Sequence, residues 1–167
     1  MTTDGGADPR FARHCRPGER VLASAAVRYH PGHEDLGRPP GTWGEEAASY
    51  ALQVGGPRAD RFFDRLVGGT SLRGWPGCWA EGLRDVVDAD VLGVELAVTD
   101  QRVLALPFQQ GEQLLWVAER GQVTGLRRAP RPLQRGRLRL DLADGSTVMV
   151  LTGMLATRSA VRLAGAW

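Results

Sequence analysis

The sequence predicts an α+β fold that is mainly β: a bent antiparallel barrel of about seven strands, with a C-terminal capping helix and a helical insertion after the first strand. Three observations predict it. Apolar residues alternate in short runs between Leu92 and Leu151, the period of strands with one buried face. Turn-forming pairs, Thr99-Asp100 and Asp144-Gly145 above all, separate those runs. The last segment, Met154 to Trp167, instead spaces Leu155, Val161, Leu163 and Ala164 for one face of a helix.

Taken in order, residues 1 to about 18 read as a polar, disordered tail, and residues 19–167 as a single domain. Arg20 to Tyr29 is the first strand, with Val21, Ala23, Ala25 and Val27 on one face. His30 to Gly41 is rich in turn formers and breakers and reads as a loop. The insertion spans about 42–90. Thr42 to Glu45 fits a capping box that opens a helix from Trp43 to about Val54, and a second helix starts at Pro57. A third, near Cys78 to Val87, places Trp79, Leu83, Val86 and Val87 on a common stripe. Strands follow over 92–98, 102–108, 114–118, 122–127, 137–142 and 147–151. In the fifth of these, Leu138, Leu140 and Leu142 face inward, with Arg137, Arg139 and Asp141 outward.

Composition narrows the class. The chain has 167 residues, 43% of them hydrophobic, which suits one globular core and excludes wholesale disorder. All 21 basic residues are arginine, a bias that reads as GC-rich coding. The net charge of +2 is too small to imply a nucleic acid partner by itself. Two distant cysteines, no signal peptide and no apolar run near the roughly 20 residues of a membrane span point to a cytoplasmic protein.

Six arginines, Arg127, Arg128, Arg131, Arg135, Arg137 and Arg139, crowd one segment. Alternation turns Arg127, Arg137 and Arg139 outward from neighbouring strands and leaves the other three in the loop between. Such a patch can hold phosphates of a lipid head group or a nucleic acid backbone; the plainer reading is a solvated, charge-balanced strand face. His30, His33, Glu34 and Asp35 are metal-ligand types, but their Pro-Gly context favours a loop. Cys15 and Cys78 sit in no nucleophile motif, and Gly68-Gly69-Thr70 lacks the lysine of a phosphate loop. No catalytic, cofactor-binding or metal-binding residue is singled out. The tryptophans belong to the core, unless the insertion leaves Trp43 or Trp75 open to a protein partner.

The stretch Leu96-Ala-Val-Thr-Asp-Gln-Arg-Val-Leu104, and the later Gly136-Arg-Leu-Arg-Leu with Asp144-Gly-Ser146, resemble hairpins of bacterial pleckstrin-homology-like (PH-like) and GRAM-like domains of an uncharacterised actinobacterial type. The resemblance covers about 19–29 and 92–167 and leaves the insertion unexplained. It implies a barrel used for binding lipid head groups, peptides or other domains. Thr99 and Asp100 set the turn of that hairpin, and Arg102 follows on the outward face. The expected function is a non-enzymatic binding or scaffold module for a protein or small ligand, using the insertion or the open barrel face. The alternative is a binder of anionic phosphate surfaces, membrane phospholipid or nucleic acid, through Arg127–Arg139. An exposed barrel edge also offers a route to a homodimer.

Overall fold

The computed structural model describes residues 9–29, 32–37, 69–89, 92–108, 112–153 and 155–167; the two helices expected over 43–54 and beyond Pro57 lie outside them. The elements are β1 (Val21–Tyr29), β2 (His33–Leu36), β3 (Thr70–Gly74), α1 (Trp79–Ala89), β4 (Val94–Thr99), β5 (Arg102–Pro107), β6 (Trp116–Glu119), β7 (Val123–Arg128), β8 (Arg137–Leu142), β9 (Thr147–Leu151) and α2 (Thr157–Gly165). The fold is mainly β, and none of the described helices is long and apolar enough to cross a membrane.

The sheet curls into a half-barrel because β1 divides its hydrogen bonds. Val21 to Val27 pairs antiparallel with β4, whereas Arg28 and Tyr29 pair with Leu151 and Val150 of β9. β1 therefore belongs to a meander, β1-β4-β5-β6, and also joins it to a second group, β7-β8-β9. The remaining length of that β9 edge takes β3, through Leu72 opposite Val148. His33–Leu36, expected as a loop, is instead an edge strand parallel to β3. The insertion thus contributes a strand, β3, as well as helix.

The concave side holds the main core. Val94, Leu96 and Val98 of β4 and Leu138, Leu140 and Leu142 of β8 are buried there, as their alternation predicts. α1 adds Ala80, Leu83 and Val87, and α2 adds Ala160 and Leu163. Two expectations fail at the helices. Trp79 is exposed, its place on the buried stripe taken by Ala80, and Leu155 and Val161 point to solvent. α2 begins only at Thr157, which leaves Leu155 in the turn before it.

The first turn of α1 is completed from the far end of the chain. Asp144 accepts the Trp79 amide (2.9 Å) and Ser146 the Ala80 amide (3.2 Å), supplying the oxygens that orphan N-terminal N–H groups need. A polar knot ties β1, β2, β3 and α1 together. The Tyr29 hydroxyl donates to Glu34 (2.5 Å) and lies 2.9 Å from Ser71 Oγ, and Arg84 of α1 donates to both Glu34 oxygens at 3.0 Å. Burial, then the Glu34 carboxylate, push the Tyr29 hydroxyl well above its ordinary range.

A second, smaller core lies on the other face of β4 and β5. The stretch expected as part of a tail carries a 3-10 turn, Pro9–His14, whose Phe11 is wholly buried against Ala97, Leu104 and Leu106. A bulge between Val21 and Ala23 shifts Val21 to this side, so it leaves the face it was expected to share with Ala23. Arg102, expected on the outward face beside a carboxylate, is only 6% exposed. Its guanidinium donates to both oxygens of Glu19 (3.0 and 2.6 Å) and to the His14 carbonyl (2.8 Å). Thr99 Oγ1 donates to Glu19 (2.6 Å) and accepts the amides of Gln101 and Arg102. The Thr-Asp-x-Arg hairpin therefore does two things: it makes its own turn, and it anchors the N-terminal segment.

The Arg102 hydrogen bonds hold the Glu19 carboxyl down from 4.5 to about 2. Because the folded value is the lower one, this stabilisation is complete above the unfolded value near 4.5 and is lost as pH falls from there through about 2. Glu19→Gln is expected to cost about 3–5 kcal/mol at neutral pH, since it strands a buried guanidinium. It also flattens the acid limb of stability; urea midpoints of both proteins across that pH range check this. Phe11→Ala is expected to cost about 3–5 kcal/mol in the same assay, whereas a disordered tail would show no change.

Candidate functional site

The structure sorts the six arginines into three kinds. On β7 and β8, Arg127 stands opposite Arg139 and Gly125 opposite Asp141. Asp141 accepts from Arg139 (2.6 Å), lies 3.1 Å from Arg127, and takes the Thr147 hydroxyl as well. One carboxylate thus serves two guanidinium groups on the strand face, and the pair presents about one net charge rather than two.

Arg137 is not an open strand-face residue. It is 5% exposed, and its guanidinium reaches past β9 to donate to the Thr70 carbonyl at the start of β3 (2.6 Å). Burial, helped by the neighbouring Arg131 charge, lowers its basicity to about 10; it remains charged at neutral pH. The Arg131 guanidinium lies against Gly69, whose φ is +64° and where a Cβ would collide with it. Arg128 and Arg135 remain exposed and form no ion pair among the described residues. The expected patch of six therefore contracts to the connection between β7 and β8.

The polar residues of the second motif are otherwise engaged. Glu34 is held by Tyr29 and Arg84, and Asp35 lies 3.5 Å from Arg73; His30 is outside the described residues. Both cysteines are free thiols. Cys15 lies on the N-terminal segment, where burial and the Glu19 charge push its thiol up, away from the thiolate that nucleophilic chemistry needs.

Two concavities stand out. A groove of about 320 Å³ opens between the start of α1 and the edge strand β6, lined by Cys78, Trp79, Gly82, Trp116, Gln122 and Leu142 among others. Trp79 on one bank and Val117 on the other are 43% and 42% exposed. Sequence reasoning looked for exposed aromatics in this insertion but named Trp43 and Trp75: the first lies outside the described residues, and the second packs against the main core. A larger trough of about 510 Å³ runs past Ala26, Leu92, Phe108 and Leu151, crossed by the bond from Arg28 to the Leu92 carbonyl.

No protein-family model matches the chain, and neither a curated protein nor a solved structure is similar to it.

If Asp141 masks the charges of Arg127 and Arg139, Asp141→Asn is expected to leave a cation-exchange resin at clearly higher salt than wild type. The comparison is Asp88→Asn, which removes one exposed carboxylate elsewhere. Equal shifts for the two variants would mean that Asp141 masks nothing.

Proposed function

We propose that this chain is a non-enzymatic binding module of PH-like build that seats an apolar side chain of a protein partner in the groove between α1 and β6. The observation that carries the reading is the pair of indoles at that groove, Trp79 exposed and Trp116 half-buried. Aromatic side chains beside a concavity are the usual anchors of protein recognition. The described lining offers Cys78 and Gln122 as its polar side chains and no carboxylate or imidazole, a composition suited to binding rather than to proton transfer. A PH-like build is supported by the order of the seven antiparallel strands, four in one meander and three in the next, followed by a helix packed on β1, β7 and β8. The Thr99–Arg102 hairpin supports it too. A cytoplasmic setting is supported by the two reduced cysteines.

Gly82 offers a direct test, because a Cβ there meets nothing within 4 Å and the residue lines the groove. Gly82→Ala is expected to raise stability by about 0.5–1 kcal/mol in urea unfolding, the usual gain for an exposed helical glycine. Gly82→Phe fills the groove. Peptides selected from a displayed random library against the wild-type chain are expected to carry an aromatic or branched apolar anchor. They should bind Gly82→Phe and Trp79→Ala at least about tenfold more weakly, the scale of a lost anchor. Selected peptides that bind both variants as they bind wild type would refute the reading. Binding of small apolar fragments without peptides would reassign the groove to a small ligand.

A further inference from the structure

Among the described residues, the two most exposed large apolar side chains are Leu155 (79%) and Leu133 (63%), and they stand on neighbouring turns. In the β7–β8 connection, Arg131 and Gln134 exchange backbone hydrogen bonds of 3.2 and 3.0 Å, which makes Pro132 and Leu133 the tip of a tight turn. In the β9–α2 connection, the Thr157 amide donates to the Leu155 carbonyl (2.8 Å). Gly136 joins the two. Its carbonyl accepts both the amide and the hydroxyl of Thr152, each at 3.0 Å, and a Cβ at this position would run into the Gly153 carbonyl. The leucines are thus held out by hydrogen-bonded turns on a shared platform.

The charge around them is of one sign. No Asp or Glu occurs from Gly121 to Leu140 or from Gly145 to Trp167. Arg128 and Arg135 flank the first turn, and Arg158 follows the second, all three exposed. Arg158 also sits in the first turn of α2, which has no acidic residue and no side-chain cap. The positive end of the helix dipole therefore adds to the arginines instead of being offset. Single exposed leucines are ordinary. Two on adjoining turns, flanked by arginines in stretches of sequence that contain no carboxylate, match the chemistry of a surface that is anionic outside and apolar beneath.

We propose that this end of the molecule docks on anionic phospholipid bilayers, with Leu133 and Leu155 entering the acyl boundary while Arg128, Arg135 and Arg158 meet lipid phosphates. A nucleic acid would engage the arginines but leave both leucines without a role. The docking end does not use the α1–β6 groove, so each proposal stands or falls alone.

Co-sedimentation of the full chain with phosphatidylcholine vesicles, with and without phosphatidylserine, tests this. Binding is expected only when phosphatidylserine is present, and it should weaken as salt rises. Leu133→Ser combined with Leu155→Ser is expected to lower vesicle affinity about tenfold with an unchanged melting temperature, since both side chains are already in water. Arg128→Glu with Arg135→Glu should lower it at least about twenty-five-fold, taking about fivefold for each lost cation. Gly82→Phe should bind vesicles as wild type does. The proposal is overturned if wild type does not distinguish the two vesicles, or if the leucine variant binds as wild type. It is overturned as well if duplex DNA at the same salt is held more tightly than the vesicles, which would assign the arginines to nucleic acid.

Discussion

The architecture depends on β1 serving two partners. A strand that gave its whole length to β4 would leave Val150 and Leu151 of β9 without a partner on that side and the sheet without its bend. By giving its last two residues to β9, β1 forces the two groups of strands to face one another across a shared core. The opening left between them is what α1 and α2 fill with small and branched side chains, Ala80, Leu83, Val87, Ala160 and Leu163. On the other edge of β1 the bond from Arg162 to the Ser24 carbonyl (2.6 Å) satisfies a backbone acceptor that no strand reaches, which blunts an edge that could recruit a foreign strand.

Arginine in this protein takes its meaning from what surrounds it. Arg102 is buried with a bidentate carboxylate and acts as a fastener. Arg84 gathers acidic neighbours into a knot between helix and strands. Arg127 and Arg139 share Asp141, and Arg137 is buried and bonded to the Thr70 carbonyl. Beside the two prolines between β7 and β8, Arg128 and Arg135 are exposed with no carboxylate partner among the described residues, and so is Arg158 at the start of α2. The chemistry available to a ligand is set by that sorting and not by the number of arginines in the sequence.

The parts legible in the sequence were those with local, one-sided periodicity. β8 and β9 fall where the leucine alternation and the Asp-Gly turn put them, and β4 and β5 differ by a residue or two. Alternation says which face a residue is on, but not whether something distant covers that face. Arg102 is buried because a remote segment, residues 9–19, lies over it, and Arg137 is engaged by a carbonyl at the start of β3, two strands away. β2 was missed because a four-residue strand with one apolar side chain, paired in parallel at an edge, has no pattern to detect. The bulge at the start of β1 shifts Val21 without leaving a mark in composition. The exposure of Leu155 was hidden for the opposite reason: its spacing puts it on the apolar face of the last helix, and only the turn before α2 sets it outside.

The cap on α1 bears on the order in which the molecule can be assembled. Trp79 and the carboxylate that receives its amide are 65 residues apart, and that carboxylate belongs to the hairpin between the last two strands. A ribosome releases the helix long before it releases its cap. An eleven-residue segment in that position is too short to persist alone. Until the final hairpin emerges, the nascent chain can pack α1 on β1 and β3 but lacks both its cap and its contact with β9.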